Sequence, residues 1–183
     1  GYNNVGQLGN GTTINASRPV QVSGLTGATQ VAAAETQACA VKSDGRVWCW
    51  GGARLGNGSA AGSTVPVQVS DLTTATQISG NYSHFCALKA DASVVCWGWN
   101  ALNQCDVPAG LAFASSVAAG DGHTIALRTS GTVAAWGWNQ FGQSTPPVGL
   151  DSVTAIAAGA RHSVALRSDG TLVCWGDGFF GQC

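Results

Sequence analysis

Short apolar runs alternate with polar, glycine-rich turns along the whole chain, leaving hardly a helix to predict. Four stretches repeat the same pattern: ACAVKSDGRVWCW (38–50), FCALKADASVVCW (85–97), TIALRTSGTVAAW (124–136) and SVALRSDGTLVCW (163–175). Each is two apolar runs around a polar turn such as Ser43-Asp44-Gly45 or Ser168-Asp169-Gly170, which predicts a β-hairpin with a three-residue loop. In the second copy Ala92-Ser93 lacks the glycine, so that turn must be built differently. An apolar run precedes each hairpin (Gln30–Ala34, Gln77–Gly80, Ser116–Gly120, Thr154–Gly159). A turn and a fourth extended segment follow, as in Gly142-Gln143 through Val148.

Every hairpin ends in Trp-Gly, at Trp50, Trp97, Trp136 and Trp175, spaced by 47, 39 and 39 residues. About four short antiparallel strands at that period is the arithmetic of a β-propeller blade. The expected fold is therefore all-β: a propeller of four-stranded antiparallel blades, with about four repeats in a partial or open ring. The segment Gly1–Gln7 matches Gly137–Gln143 and Gly176–Gln182, so both ends fall at the same phase. Residues 1–183 read as a single repeat domain with repeats at about 1–50, 51–97, 98–136 and 137–175, while 176–183 starts another. The first two repeats carry the longer segments LGNGTTINASRPVQVSGL (8–25) and LGNGSAAGSTVPVQVSDL (55–72); the last two have CDVPAGL (105–111) and STPPVGL (144–150).

Only 9% of residues are charged and the net charge is -1, so there is no basic face to neutralise phosphates and nucleic acid is excluded as an expected partner. No apolar run reaches the roughly 18 residues of a membrane-spanning helix. The chain lacks an initiator Met and a signal peptide, which reads as a processed product or a fragment.

Seven cysteines without C-x-x-C or zinc-ligand spacing point to disulfides and an oxidising compartment. With Ser43-Asp44-Gly45 as the loop, Cys39 faces Cys49. Cys86 and Cys96 occupy the same columns, and the third repeat loses both cysteines together, at Ile125 and Ala135. Opposed residues in antiparallel strands are close enough to bridge. Cys174 faces Val164 and is left with Cys105 and Cys183; Cys174–Cys183, a bond to another chain and an unpaired thiol are the alternatives.

The pattern H-[ST]-x-A-L-[KR]-x-[DS]-G-T-x-x-x-W-G-x-N-x-x-G-Q resembles the regulator of chromosome condensation repeat; His123–Gln143 carries nearly all of it and His162–Gln182 most of it. The resemblance covers essentially the whole chain and implies a propeller, usually of seven blades. The short repeats with Val-Pro-Ala-Gly-Leu linkers are similar to secreted bacterial members, among them inhibitors that cap β-lactamases through loops on one propeller face. The nuclear exchange factor of the family would call for basic surface and reduced thiols, which this chain does not offer.

The candidate chemistry is thin. His84, His123 and His162 recur at one column, with Gln37 there in the first repeat, which points to a structural ring bonded to backbone in a tight turn. His162, Ser163 and Asp169 do not form a triad, because adjacent strand residues face opposite sides. Asp44 and Asp169 belong to turns, and no carboxylates are spaced as an acid/base pair or calcium loop. No catalytic residue, metal site or cofactor is expected. The Trp-Gly tryptophans read as core, and Asn81, Gly120 and Gly159, three before each His, read as positive-φ positions.

The variable turns are the informative part. Antiparallel alternation puts the loop between strands one and two on the same face as the loop between strands three and four. That face collects Tyr2, Tyr82, Trp99, Trp138, Phe141, Arg161 and Phe180 as a candidate binding rim, because aromatics and arginine anchor interfaces. Asn10, Asn15, Asn57 and Asn81 stand in N-x-[ST] sequons and are candidate glycan sites. The expectation is a secreted or cell-surface, disulfide-bonded, non-enzymatic propeller that binds a protein partner or copies of itself in a surface assembly. The alternatives are a secreted enzyme inhibitor acting through the same face and a subunit of a head-to-tail filament.

Overall fold

The computed structural model describes residues 1–183 and contains thirteen β-strands and no helix. The first blade is β1 (Ala28–Ala33), β2 (Gln37–Lys42), β3 (Val47–Gly51) and β4 (Ser63–Gln68). The second holds β5 (Ala75–Asn81), β6 (His84–Lys89) and β7 (Val94–Gly98); the third β8 (Ala114–Ala119), β9 (His123–Arg128) and β10 (Val133–Gly137). The fourth holds β11 (Val153–Ala158), β12 (His162–Arg167) and β13 (Leu172–Gly176). All pairings are antiparallel between chain neighbours, so the fold is a propeller segment of four blades whose ring is not closed.

The fourth strand is regular in the first blade alone, where β4 pairs with β3. The corresponding segments 105–113 and 144–152 run as turns. Their short linkers place Pro108, Pro146 and Pro147 where backbone N–H groups would be needed for a ladder.

The hairpin register is the one the sequence predicts: Val41 faces Val47 and Cys39 faces Cys49, while Cys86 faces Cys96 in the next blade. Gly45, Gly131 and Gly170 take the left-handed conformation at the turn. Ala92 does the same work without glycine, at φ 63°, held by Asp91, whose Oδ1 accepts from the Ser93 amide and hydroxyl. The glycine of Trp-Gly is equally constrained. Gly51, Gly98, Gly137 and Gly176 have φ between 94° and 111°, and a Cβ on Gly137 would stand 2.7 Å from the Gly122 carbonyl oxygen.

Gly120 and Gly159 differ from the expectation. Neither has positive φ, nor does Asn81; the two glycines are needed because a Cβ would collide with the His123 or His162 ring.

The apolar cores lie between blades rather than within them. Val41, Val47 and Leu55 of the first blade meet Ile78, Phe85 and Ala87 of the second. Leu88 meets Ala114 and Val117 across the next joint, and Ile125 and Leu127 meet Val153 and Ala165 across the last. Each blade therefore depends on its neighbour for burial, as in any solenoid-like array. Disulfides join Cys39 to Cys49, Cys86 to Cys96 and Cys174 to Cys183, leaving Cys105 as a free thiol. No helix is long and apolar enough to cross a membrane.

Candidate functional site

Two of the recurring histidines, His84 and His123, form latches between blades; His162, in the last blade, makes no such bond. His84 Nε2 lies 2.9 Å from Thr124 Oγ1 of the next blade, and that hydroxyl donates to the Gln104 carbonyl at 2.8 Å. His123 repeats this with Ser163 Oγ at 2.9 Å, which donates to the Gln143 carbonyl at 3.0 Å. The indoles of Trp136 and Trp175 donate to the same two carbonyls. The rings thus bond to hydroxyls across a joint, not to backbone in their own turn as the sequence suggests. Because each hydroxyl proton is committed to a carbonyl, the histidine must donate through Nε2, and Nδ1 is left buried without a partner.

Burial is the main cause that lowers His84 and His123 to a pKa of about 4, with a neighbouring histidine adding to it. The His123–Ser163 pair is not an activated nucleophile. Both residues are fully buried and the serine proton is already given away.

The turn Gly-x-Asn-x-x-Gly-Gln after a third strand builds the loop face. Asn100 and Asn139 accept the amides of Cys105 and Ser144, while Gln104 and Gln143 accept those of Leu102 and Phe141. The turn is thereby folded over the next blade. Leu102 packs where a Cβ on Gly122 would stand. At the last joint Trp138 and Phe141 meet edge to face at 5.3 Å, and the Arg161 guanidinium lies 5.6 Å and 5.3 Å from their ring centroids. Three of the rim residues thus form one cluster, with Arg161 and Phe141 exposed. Burial raises the Asp121 carboxyl above its usual range, partly offset by Arg161.

The other rim residues are distributed differently. Tyr2 stands exposed in the first copy of the turn. Phe180 is exposed in the last copy, edge-on to Phe179 at 4.9 Å, a neighbour the column comparison did not single out. Tyr82 and Trp99 line a notch between the first and second blades, of about 580 Å³, together with Glu35, Gln37, Arg54 and Ser83. Here the loop after the third strand is only Gly51 to Arg54, so the residue equivalent to Leu102 or Phe141 is missing.

The joint has also lost its latch. Gln37 stands for His, Phe85 for Thr124 or Ser163, and the Trp97 indole nitrogen is buried without an acceptor. Phe85 stacks on Trp97 at 6.0 Å instead. The missing residues in this loop were the only sequence signal of the notch.

Of the sequons, Asn15 is exposed, whereas Asn10, Asn57 and Asn81 are half-buried. All four carboxamide oxygens accept backbone N–H bonds, at Asn10, Asn57 and Asn81 from Thr12, Ser59 and Tyr82 in the same turn, and at Asn15 from Asn3.

The Regulator of chromosome condensation (RCC1) repeat is matched at residues 1–41, 44–88, 75–104, 114–143 and 153–182. The chain belongs to the RCC1 repeat family. Prp20p from Saccharomyces cerevisiae, a structure described with its binding properties to Gsp1p and histones, is 25% identical with a TM-score of 0.69. That similarity covers 81% of this chain and 43% of Prp20p. Human WBSCR16 has the same fold (TM-score 0.78, 20% identity) over 95% of this chain and 55% of its own. The ectodomain of the receptor kinase CR4 from Physcomitrella patens is 25% identical with a TM-score of 0.60, covering 78% of this chain and 39% of that one. This RCC1-repeat chain spans about half the length of the solved structures it matches. No curated protein sequence matches it.

Proposed function

We propose that this RCC1-repeat segment is a secreted, non-enzymatic binding protein that engages a protein partner through its loop face. The observation that carries the reading is the Arg161–Trp138–Phe141 cluster, which combines the side-chain types that anchor protein interfaces on an exposed face. His84, His123 and Ser163, which resemble catalytic groups, are used up in buried latches. Three disulfides in one short chain are compatible with an oxidising, extracellular setting, where Asn15 is the most accessible of the sequons. Prp20p binds Gsp1p and histones, which supports protein recognition as the general use of such a propeller.

An enzyme inhibitor would use the same face, and its target would be the partner. A head-to-tail filament would form its joint without a latch. A second copy docked against β12 through its first blade would offer Ala38 in the Thr124/Ser163 column, a methyl in place of the hydroxyl that His162 needs.

The test is capture of secreted proteins on the immobilised chain, compared with Trp138→Ala and Arg161→Ala. The expected result is a defined partner whose affinity drops at least about tenfold in either variant, with thermal stability unchanged. Capture insensitive to both changes, or a hydrolase activity abolished by changing one histidine, would overturn the reading.

A further inference from the structure

The notch at the first joint is an architectural exception with unsatisfied polar groups. At the second and third joints the turn folds over the next blade and fills the equivalent place with Leu102 or with Trp138 and Phe141. At the first joint the short loop leaves it open. Gln37 is 6% exposed; its amide nitrogen donates to the Ala53 carbonyl, and its Oε1 is buried in the wall of the notch without a donor. Ser83 Oγ, also in the lining, is buried and unpartnered. Glu35 and Arg54 stand in the same lining and form no ion pair with each other or with any other residue. Tyr82 and the half-buried Trp99 supply the aromatic surface.

The composition of the lining narrows the ligand. A cation would pair with Glu35 but would face Arg54; an anion would meet Glu35. A neutral ligand avoids both conflicts. The backbone around the notch is already used within the loops: Glu35 N–H donates to the Tyr82 carbonyl, Gly52 N–H to Thr36, and Trp99 N–H to Ser83. An extended peptide therefore finds few main-chain partners, and recognition falls to side chains.

Hydroxyl groups donate and accept, so a polyol answers the acceptor Glu35 and the donor Arg54 together, while an apolar ring face lies on Trp99. The volume is within the range of roughly 300–1,000 Å³ typical of small-ligand sites.

We infer that this notch is a binding site for a neutral glycosyl unit, stacked on Trp99 and hydrogen-bonded by Glu35 and Arg54. The inference rests on the reading that the loop face is the binding face.

The experiment is saturation-transfer NMR and tryptophan fluorescence with the methyl glycosides of glucose, galactose, mannose and N-acetylglucosamine. At least one should bind in about the millimolar range, corresponding to roughly -4 kcal/mol. Trp99→Ala and Glu35→Ala should weaken it at least about tenfold, while Trp138→Ala leaves it unchanged. Grafting residues 99–104 in place of 52–54 restores the turn, fills the notch and should abolish binding in a folded protein, so the test does not depend on a single substitution. Absence of binding by all four glycosides, binding that survives the graft, or capped peptides occupying the notch instead would overturn the proposal. Glycoside binding with protein capture insensitive to Trp138→Ala and Arg161→Ala would refute the protein-binding reading alone; the converse would refute the glycosyl site alone.

Discussion

Acid should unlatch this propeller well above the pH at which carboxylates protonate. His84 and His123 hold a neutral ring in the folded state, with a pKa of about 4 against 6.5 for the free side chain. Between those values the unfolded chain binds more protons than the folded one, so stability falls as pH falls. The contribution is complete above about pH 6.5, is lost progressively toward pH 4, and does not change further below it. At about 1.4 kcal/mol per pH unit, each latch loses roughly 3 kcal/mol across that window. Two latches together approach the whole stability of an ordinary domain, about 5–15 kcal/mol. Asp121, whose carboxyl is raised by burial, works in the opposite direction.

The physical cause is specific. Protonation puts an N–H on a buried Nδ1 that has no acceptor, beside a second histidine. Urea unfolding at pH 7.0, 6.0, 5.0 and 4.5, followed by tryptophan fluorescence, measures the slope directly. His123→Gln, which mimics the residue at the first joint, should remove about half of the slope even though it lowers stability at pH 7. A flat profile from pH 6.5 to 4.5, or a slope unchanged in both His84→Gln and His123→Gln, would refute the latch argument.

Ser163→Ala removes the hydroxyl that joins His123 to Gln143 and strands a buried ring donor; a loss of about 1–3 kcal/mol in chemical unfolding is expected, against little change for the exposed Ser130→Ala. Ala92→Gly relieves a left-handed alanine and should stabilise by up to about 1 kcal/mol, read as a higher Tm, because Gly45, Gly131 and Gly170 already occupy that column. Burial beside Asp106 pushes the Cys105 thiol up to about 12, so iodoacetamide at pH 8 should leave it unmodified in the native protein and alkylate it after unfolding; rapid native labelling would contradict this.

The candidate surface was only partly legible from the residues. Column comparison brought out Trp138, Phe141 and Arg161, because antiparallel alternation alone places their loops on one face, and the structure clusters them. It treated Tyr82 and Trp99 as members of the same rim, whereas they line a separate notch. That notch arises from residues absent after Gly51, and an absence leaves no side chain to notice. The histidines were recognised as structural for the right reason, recurrence, but their partners lie about 40 residues away in the next blade. No local pattern names such a partner, since Thr124 and Ser163 look like ordinary strand residues until the blades stack.

The repeat, the hairpin register and the Cys39–Cys49 and Cys86–Cys96 pairs were determined by the sequence itself. Each depends on contacts a few residues apart, where period-two alternation and turn chemistry leave one solution. The tertiary structure decided everything that crosses a joint: the apolar cores between blades, the His–hydroxyl–carbonyl latches, the need for glycine at Gly120 and Gly159, and the open notch. Those depend on how one blade leans on the next, and the free energy of that contact is spread over residues from two repeats.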